Sequence, residues 1–299
     1  MLLHSVVCFL TLCLSSHSLK QFPLLRSCSI KPVGSAKYHR TSATALSSLP
    51  NLAIDLAILP LFKQAAAVDG AIALVLTQVP KTPLTKAGLL HATILGTGLW
   101  TFLGVKGWTV CVIYFILGSL VTKIRMKEKE RLGIAEKRGG ARGPENVWGS
   151  AAAAMTCAMM TYVFPAQSAL FKVGYVASLA TKLSDTFGSE IGKAYGKNTY
   201  LITTLKMVPK GTEGAVSVEG TVAGVIGSII MALVGVALGL VTSTSGVVAC
   251  IIAAFVATTA ESFIGAVFQD KYSWLTNELV NLINTIIGAV TAIAIMAVI

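Results

Sequence analysis

The sequence predicts an all-α fold, a polytopic transmembrane helical bundle of about seven to eight spans. Three observations carry that expectation. Mean hydropathy is +0.75, and 54% of the 299 residues are hydrophobic while 12% are charged, about half the charge of an average soluble domain. The apolar residues fall into runs approaching the roughly twenty that a helix needs to cross a hydrocarbon core. The polar residues collect in the segments between those runs. A chain of this length holds one such domain without a large soluble one beside it.

Residues 1–50 read as a leader. They contain Lys20, Arg26, Lys31, Lys37 and Arg40, ten serines and no acidic residue, the profile of an organelle transit peptide. The apolar run "LLHSVVCFLTLCLSS" resembles a secretory signal core, but no Lys or Arg precedes it. The membrane domain is expected at 51–299.

The first apolar stretch, Leu52–Val79, is interrupted by Asp55, Pro60, Lys63 and Asp69. It suits one span, or one span plus an interfacial segment. Seven further candidates follow at Lys86–Leu103, Trp108–Thr122, Gly149–Phe164, Ser168–Leu183, Gly220–Leu240, Ser245–Phe268 and Leu279–Ile299. Parity then places the loops. With a crossing at 108–122, the segments 123–148, 184–219 and 269–278 share one face, and only the short turns 165–167 and 241–244 lie opposite. Segment 123–148 carries eight basic and four acidic residues, so this face is the cytosol-like one, the stroma in a plastid. Chemistry is expected there.

Several function classes drop out. The net charge of +11 is concentrated in the leader and in 123–142, without aromatic-interleaved basic stripes or zinc spacing, which argues against nucleic acid. No Cys-x-x-Cys occurs among the six cysteines, so reduced buried thiols are expected.

The segment "SDTFGSEIGKAYGKNTYLITTLKMVPKGTEGAVSVEG" is the most informative. Gly188, Gly192 and Gly196 recur every four residues, as in close helix packing, and lysines at a membrane rim serve as topological anchors. A catalytic alternative stands beside this. Asp185 and Glu190 could hold a hydrated Mg²⁺ through one or two carboxylates. Lys206 and Lys210 supply point charge for phosphate, and Gly211 and Gly214 let backbone N–H groups approach an anion, with the Thr212 and Ser217 hydroxyls nearby. Carboxylate, lysine and glycine together are the parts of phosphoryl transfer. No GxxxxGK[ST] loop is present, so a nucleotide site must be of another design. Further on, Glu261 lies within an apolar span, where an ionisable group is a functional hypothesis by default. Asn277, Asn281 and Asn284 follow at helical spacing, suited either to joining helices or to ordering metal and phosphate ligands; Gln269 precedes them.

These motifs, with "ESFIGAVFQDKYSWLTNELVN" and "KRGGARGPENVWGSA", resemble the integral membrane family typified by transmembrane protein 19, domain of unknown function family 92, over roughly residues 52–299. The basic, serine-rich leader makes the chain most similar to the family's plant branch, the chloroplast phytyl-phosphate kinases. The layout is also similar to that of polyprenol and phytol kinases. Asp185, Gly188 and Gly192 match the first part of that pattern, Lys206, Glu213 and Gly214 the second, and Glu261 and Asn277 the third. Arg142 is carried over from the preceding loop.

The resemblance implies transfer of a phosphoryl group from a nucleoside triphosphate, CTP or another, to phytyl phosphate, giving phytyl diphosphate for tocopherol (vitamin E) synthesis in a chloroplast membrane, envelope or thylakoid. It implies Mg²⁺ on Asp185, Glu190 and Glu261, with Asp185, Lys206, Glu213 and Glu261 catalytic. Nucleotide phosphates would meet Gly188, Gly192, Lys210, Gly211, Thr212, Gly214, Ser217 and Asn277. The partners implied are a prenyl monophosphate and membrane lipid, with no nucleic acid. The rivals are a lipid-alcohol kinase or cytidylyltransferase and, from another class, a multi-span transporter built on Glu261 and glycine-rich helices.

Overall fold

The structure, a computed structural model, describes residues 50–79, 82–269 and 271–299, with side chains from Ile58 onward. The expected leader lies outside the described residues except for Pro50, where the first helix starts. Residues Asp55–Ile299 form one compact unit, and eight α-helices account for most of it. They are α1 Pro50–Thr77, α2 Lys86–Thr122, α3 Met126–Arg131, α4 Pro144–Val163, α5 Ser168–Tyr195, α6 Val218–Ala237, α7 Thr244–Ile264 and α8 Asn277–Val298. Strands β1 Tyr200–Leu201 and β2 Ala215–Val216 pair antiparallel between α5 and α6.

Hydroxyl side chains start four of the helices. Thr85, Ser217, Ser243 and Thr276 accept from the backbone N–H groups of Gly88, Gly220, Gly246 and Leu279. Each satisfies a donor that the first helical turn leaves unpaired. Pro144 begins α4, where its missing N–H costs nothing.

Helix α2 is broken at Gly104, whose φ of 68° and ψ of −173° are open to glycine. Thr85 and Pro83 bond through their backbones to Arg142, each at 3.0 Å, and the Arg142 guanidinium reaches the Tyr114 hydroxyl at 3.0 Å. Along an unbroken helix Thr85 and Tyr114 would stand about 44 Å apart, too far for one arginine to join. The element therefore folds back into two arms, 86–103 and 105–122, as the separate apolar runs imply. Asp69 of α1 accepts from Thr97 on one arm at 3.3 Å and from the Trp108 indole on the other at 2.8 Å. Helices α4 and α5 form a second bent pair, with 120° between them.

Among the described residues five helices are long and apolar enough to cross a membrane: Ile58–Thr77, Lys86–Thr122, Val218–Ala237, Thr244–Gln269 and Asn277–Val298. The bent pair α4–α5 makes six if taken as one span. The expected count of seven to eight differs at the two bends. The arms of α2 count as one continuous helix, and the polar second half of α5 keeps α4 and α5 from qualifying separately. The protein is a multi-pass integral membrane protein.

Helix α5 is the axis of the bundle and touches α2, α4, α6, α7 and α8. Tyr175, Val176, Leu179 and Leu183 on it are fully buried. Its neighbours present small residues: Ala151, Ala154 and Ala158 on α4, Ala249, Ala253 and Ala257 on α7, Ala289 and Ala292 on α8. In lipid, helices gain little from the hydrophobic effect and associate by close packing, which small residues allow. The α5–α6 seam is the tightest case. A Cβ on Gly220 would stand 2.6 Å from the Gly188 carbonyl oxygen, and one on Gly224 would stand 3.0 Å from that of Ser184.

Candidate functional site

A cavity of about 670 Å³ opens at one end of the bundle. It draws its walls from 133–150, from the second half of α5, from 199–225, and from 255–281. The three loops placed on one face by parity thus meet around one space.

Helix α5 contributes the most buried charge. Lys182 donates to Asp185 Oδ2 and to Asn281 Oδ1 of α8, both at 2.6 Å. The lysine and aspartate stand one turn apart, on the same helix face, and a lysine inside a bundle needs such partners to be tolerated. Opposite them, Glu261 of α7 accepts from the Asn284 amide of α8, and the second amide atom of Asn284, Oδ1, is buried without a partner. Glu261 lies within hydrogen-bonding reach of Asp185 and feels the charges of Lys182 and Glu213. Two carboxylates from different helices, facing one another over one lysine, form a site that attracts further positive charge.

The β1–β2 hairpin lays a glycine-bearing loop over this group. Gly211 and Gly214 have φ of 85° and 71°, the left-handed region that glycine enters without penalty. Gly214 sits against the end of α7, where a Cβ would stand 2.5 Å from the Ser262 carbonyl oxygen and 2.6 Å from the Ala266 nitrogen. At that point α7 opens into a π turn, Gly265–Gln269. Such turns are rare and concentrate at functional sites. Below the hairpin, Ser217 spends its hydroxyl on capping α6.

Most of the expected site residues meet here. Asp185, Glu213 and Glu261 line the cavity, as do Gly188 and Gly192 of α5. Lys210, Gly211, Thr212, Gly214 and Ser217 line it from the hairpin, and Asn277 from α8, where it accepts from Gln269. Two expected residues do not. Lys206 is exposed outside the lining, because the turn at 201–206, closed by the Leu201 N–H to the Lys206 carbonyl, points its side chain away. Glu190 is turned to another face of α5. There, 1% exposed, it pairs with the equally buried Lys129 of α3 and lies 3.5 Å from Lys193.

The structure adds residues that sequence reasoning passed over. Lys137, Arg138, Lys182 and Lys193 line the cavity together with Arg142 and Lys210, and Glu278 joins the acids. Arg142 is held over the Tyr114 and Phe115 rings, 5.5 Å from each. Lys182 had a readable signal, since "ASLATKLSD" places a lysine three residues before Asp185 in an apolar helix, the same anomaly that marked Glu261.

Could these residues hold a divalent metal? No cluster of three or more His, Cys, Asp or Glu side chains forms a metal cage among the described residues. Magnesium needs none. It is commonly held by one or two carboxylates and completed by substrate phosphates and water, and the facing pair Asp185 and Glu261 fits that demand.

The chain matches the family described as integral membrane protein DUF92 over residues 70–289. It is 56% identical over 219 residues to uncharacterized membrane protein sll0875 of Synechocystis sp., covering 73% of this chain and 84% of that protein. It is 46% identical over 239 residues to Protein VTE6, chloroplastic, of Arabidopsis thaliana, covering 78% of this chain and 72% of that protein. With uncharacterized membrane protein MJ0933 of Methanocaldococcus jannaschii it shares 35% identity over 213 residues, 71% of this chain and 85% of that protein. No solved structure matches it.

Proposed function

The chain belongs to the integral membrane protein family DUF92, and from that premise we propose that it is a phytyl-phosphate kinase of a chloroplast membrane. The reaction moves a phosphoryl group from a nucleoside triphosphate, with CTP the first candidate, to phytyl phosphate. An oxygen of the acceptor phosphate forms a bond to the γ-phosphorus, the bond to the β-phosphate bridging oxygen breaks, and nucleoside diphosphate leaves. The likeness to Protein VTE6, chloroplastic, supports a role in vitamin E synthesis within that organelle.

One observation carries this reading: the Lys182–Asp185–Asn281 group faces Glu261 beneath a glycine-bearing loop, at one end of a membrane bundle. Asp185 and Glu261 would bind Mg²⁺, which would neutralise triphosphate charge and align the γ-phosphoryl group. Lys182 and Lys210 oppose the charge on the transferring oxygens. The backbone from Gly211 to Gly214 offers N–H groups to the nucleotide phosphates. The acceptor is already a phosphate monoester, and its second pKa of about 6 leaves it mostly deprotonated near neutrality. The site therefore needs no strong general base, consistent with His91 standing away from the lining, bonded to Trp148. Against transport, Tyr175, Leu179 and Leu183 close the bundle beneath the cavity.

The test supplies γ-labelled CTP, ATP, UTP or GTP to the detergent-purified protein with phytol or phytyl phosphate. Labelled phytyl diphosphate is the expected product. Label found only on phytol, or transfer from an α-labelled nucleotide instead, would assign the site to a lipid-alcohol kinase or a cytidylyltransferase.

A further inference from the structure

The polar cavity does not end at the carboxylates. It continues as a cleft between α6 and α7, bounded on one side by Thr221, Gly224 and Val225 and on the other by Phe255, Thr258 and Thr259. These positions repeat at three and four residues, so each set forms a single stripe along its helix. Counted from Ser217 on α6 and from Gly265 on α7, the cleft descends about 12–15 Å, close to one leaflet of a ~30 Å hydrocarbon core. It also reaches the outer surface of the bundle, because Phe255 is 51% exposed and Thr221 is exposed too.

The wall is chemically apolar despite its hydroxyls. Thr258, Thr259 and Ser262 turn their hydroxyls back onto the carbonyls of Ala254, Phe255 and Thr258, at 2.9, 2.7 and 3.0 Å. Hydroxyls bonded in this way stay with their own helix, and hydrocarbon is what remains toward the cleft. A polar substrate would find few partners here, whereas an alkyl chain would find a matching surface.

A second apolar groove, lined by Leu117, Leu120, Phe187, Ile191, Val222 and Ile226, lies on the other side of the α5–α6 seam. The Gly188–Gly220 and Ser184–Gly224 approaches close that seam, so the groove does not share the charged end of the cavity.

We propose that the isoprenoid chain of the acceptor lies in the α6–α7 cleft, reached sideways from the bilayer, with its phosphate at Lys182 and Lys210 and with Val225, Phe255 and Thr259 against the chain. This rests on the proposed kinase reading and specifies where chain length is measured. The headgroup meets the nucleotide at the rim while the tail never leaves hydrocarbon, which removes the cost of bringing about twenty carbons into water.

The experiment uses the full chain in lipid nanodiscs and a C20 isoprenyl monophosphate carrying a diazirine at its far end. Photolabel on 221–225 and 255–259 is the expected result. Label on Phe187 or Ile191, or no label above background while the probe is still turned over, would overturn the cleft assignment. In parallel, Val225→Trp is expected to raise KM for the C20 acceptor about tenfold while leaving kcat/KM for dimethylallyl phosphate unchanged, since a filled pocket discriminates by the groups it excludes. An equal loss for both acceptors, or for neither, would overturn it as well. Absence of turnover with every isoprenyl monophosphate in the wild-type protein is a different result, one that removes the kinase reading itself.

Discussion

Two lysine–carboxylate pairs sit on α5 within eight residues, and they could hardly be used more differently. Lys182 and Asp185 face the cavity, share a third partner in Asn281, and approach Glu261 across the gap between helices. Glu190 stands five residues further on, about 140° around the helix, where Lys129 of α3 meets it out of solvent and also donates to the Thr122 carbonyl at 2.7 Å. The first pair leaves charge available at a surface that a substrate can reach. The second consumes its charge in fastening the α2–α4 connection to the bundle. Charge in a membrane helix marks a place worth examining, and the partner it meets decides what the place does.

Substitutions can break this contrast. Asp185→Asn is expected to lower phytyl diphosphate formation about 10³-fold, the scale of a lost transition-state electrostatic contact, while the thermal unfolding midpoint in detergent stays near wild type. Lys129→Met strands a buried carboxylate and is expected to destabilise the protein by about 3–5 kcal/mol, with activity per folded molecule preserved. The double variant Lys129→Met/Glu190→Leu should regain most of that stability in the same unfolding measurement, because an apolar pair can replace a buried ionic one. If the Glu190 variant instead loses turnover at full stability, Glu190 belongs with Asp185 after all and the contrast fails.

Smaller effects sharpen it. Lys210→Ala is expected to reduce kcat/KM for the nucleotide about ten- to a hundredfold by removing one charged partner of a phosphate. Lys206→Ala should change the same constant by less than about twofold, since exposed residues away from a site rarely contribute more. A loss at Lys206 comparable to that at Lys210 would mean that the hairpin closes over bound nucleotide.

The sequence made the bundle readable because hydropathy is an average over many residues. The two arms of α2, the bend between α4 and α5 and the gathering of three loops on one face all follow from run lengths and parity. Asp185 and Glu261 stood out for a related reason, being costly in an apolar setting. Glu190 and Lys206 were misplaced because a motif read along the chain does not say which way a side chain points. Glu190 rotates off the cavity face of α5, and a backbone bond between Leu201 and Lys206 turns the lysine outward. Lys182 escaped notice at the end of an apolar run, where a lysine resembles an interfacial anchor. The asparagine stripe left two uses open, and both occur at once: Asn281 and Asn284 reach across from α8 to other helices, and what they hold there are Lys182 and Glu261.

The π turn at Gly265–Gln269 has a consequence for how the second half of the site can vary. A turn of this kind takes up one residue more than the α turn it replaces. Deleting any single residue between Gly265 and Gln269 would let the segment relax into regular helix and rotate everything beyond it by about 100°. Gln269 would swing away from Asn277, and Gly214 would lose the step on which it rests. One codon therefore separates a chain whose last two spans are phased to work together from one that still inserts, still packs, and has its ligands out of step.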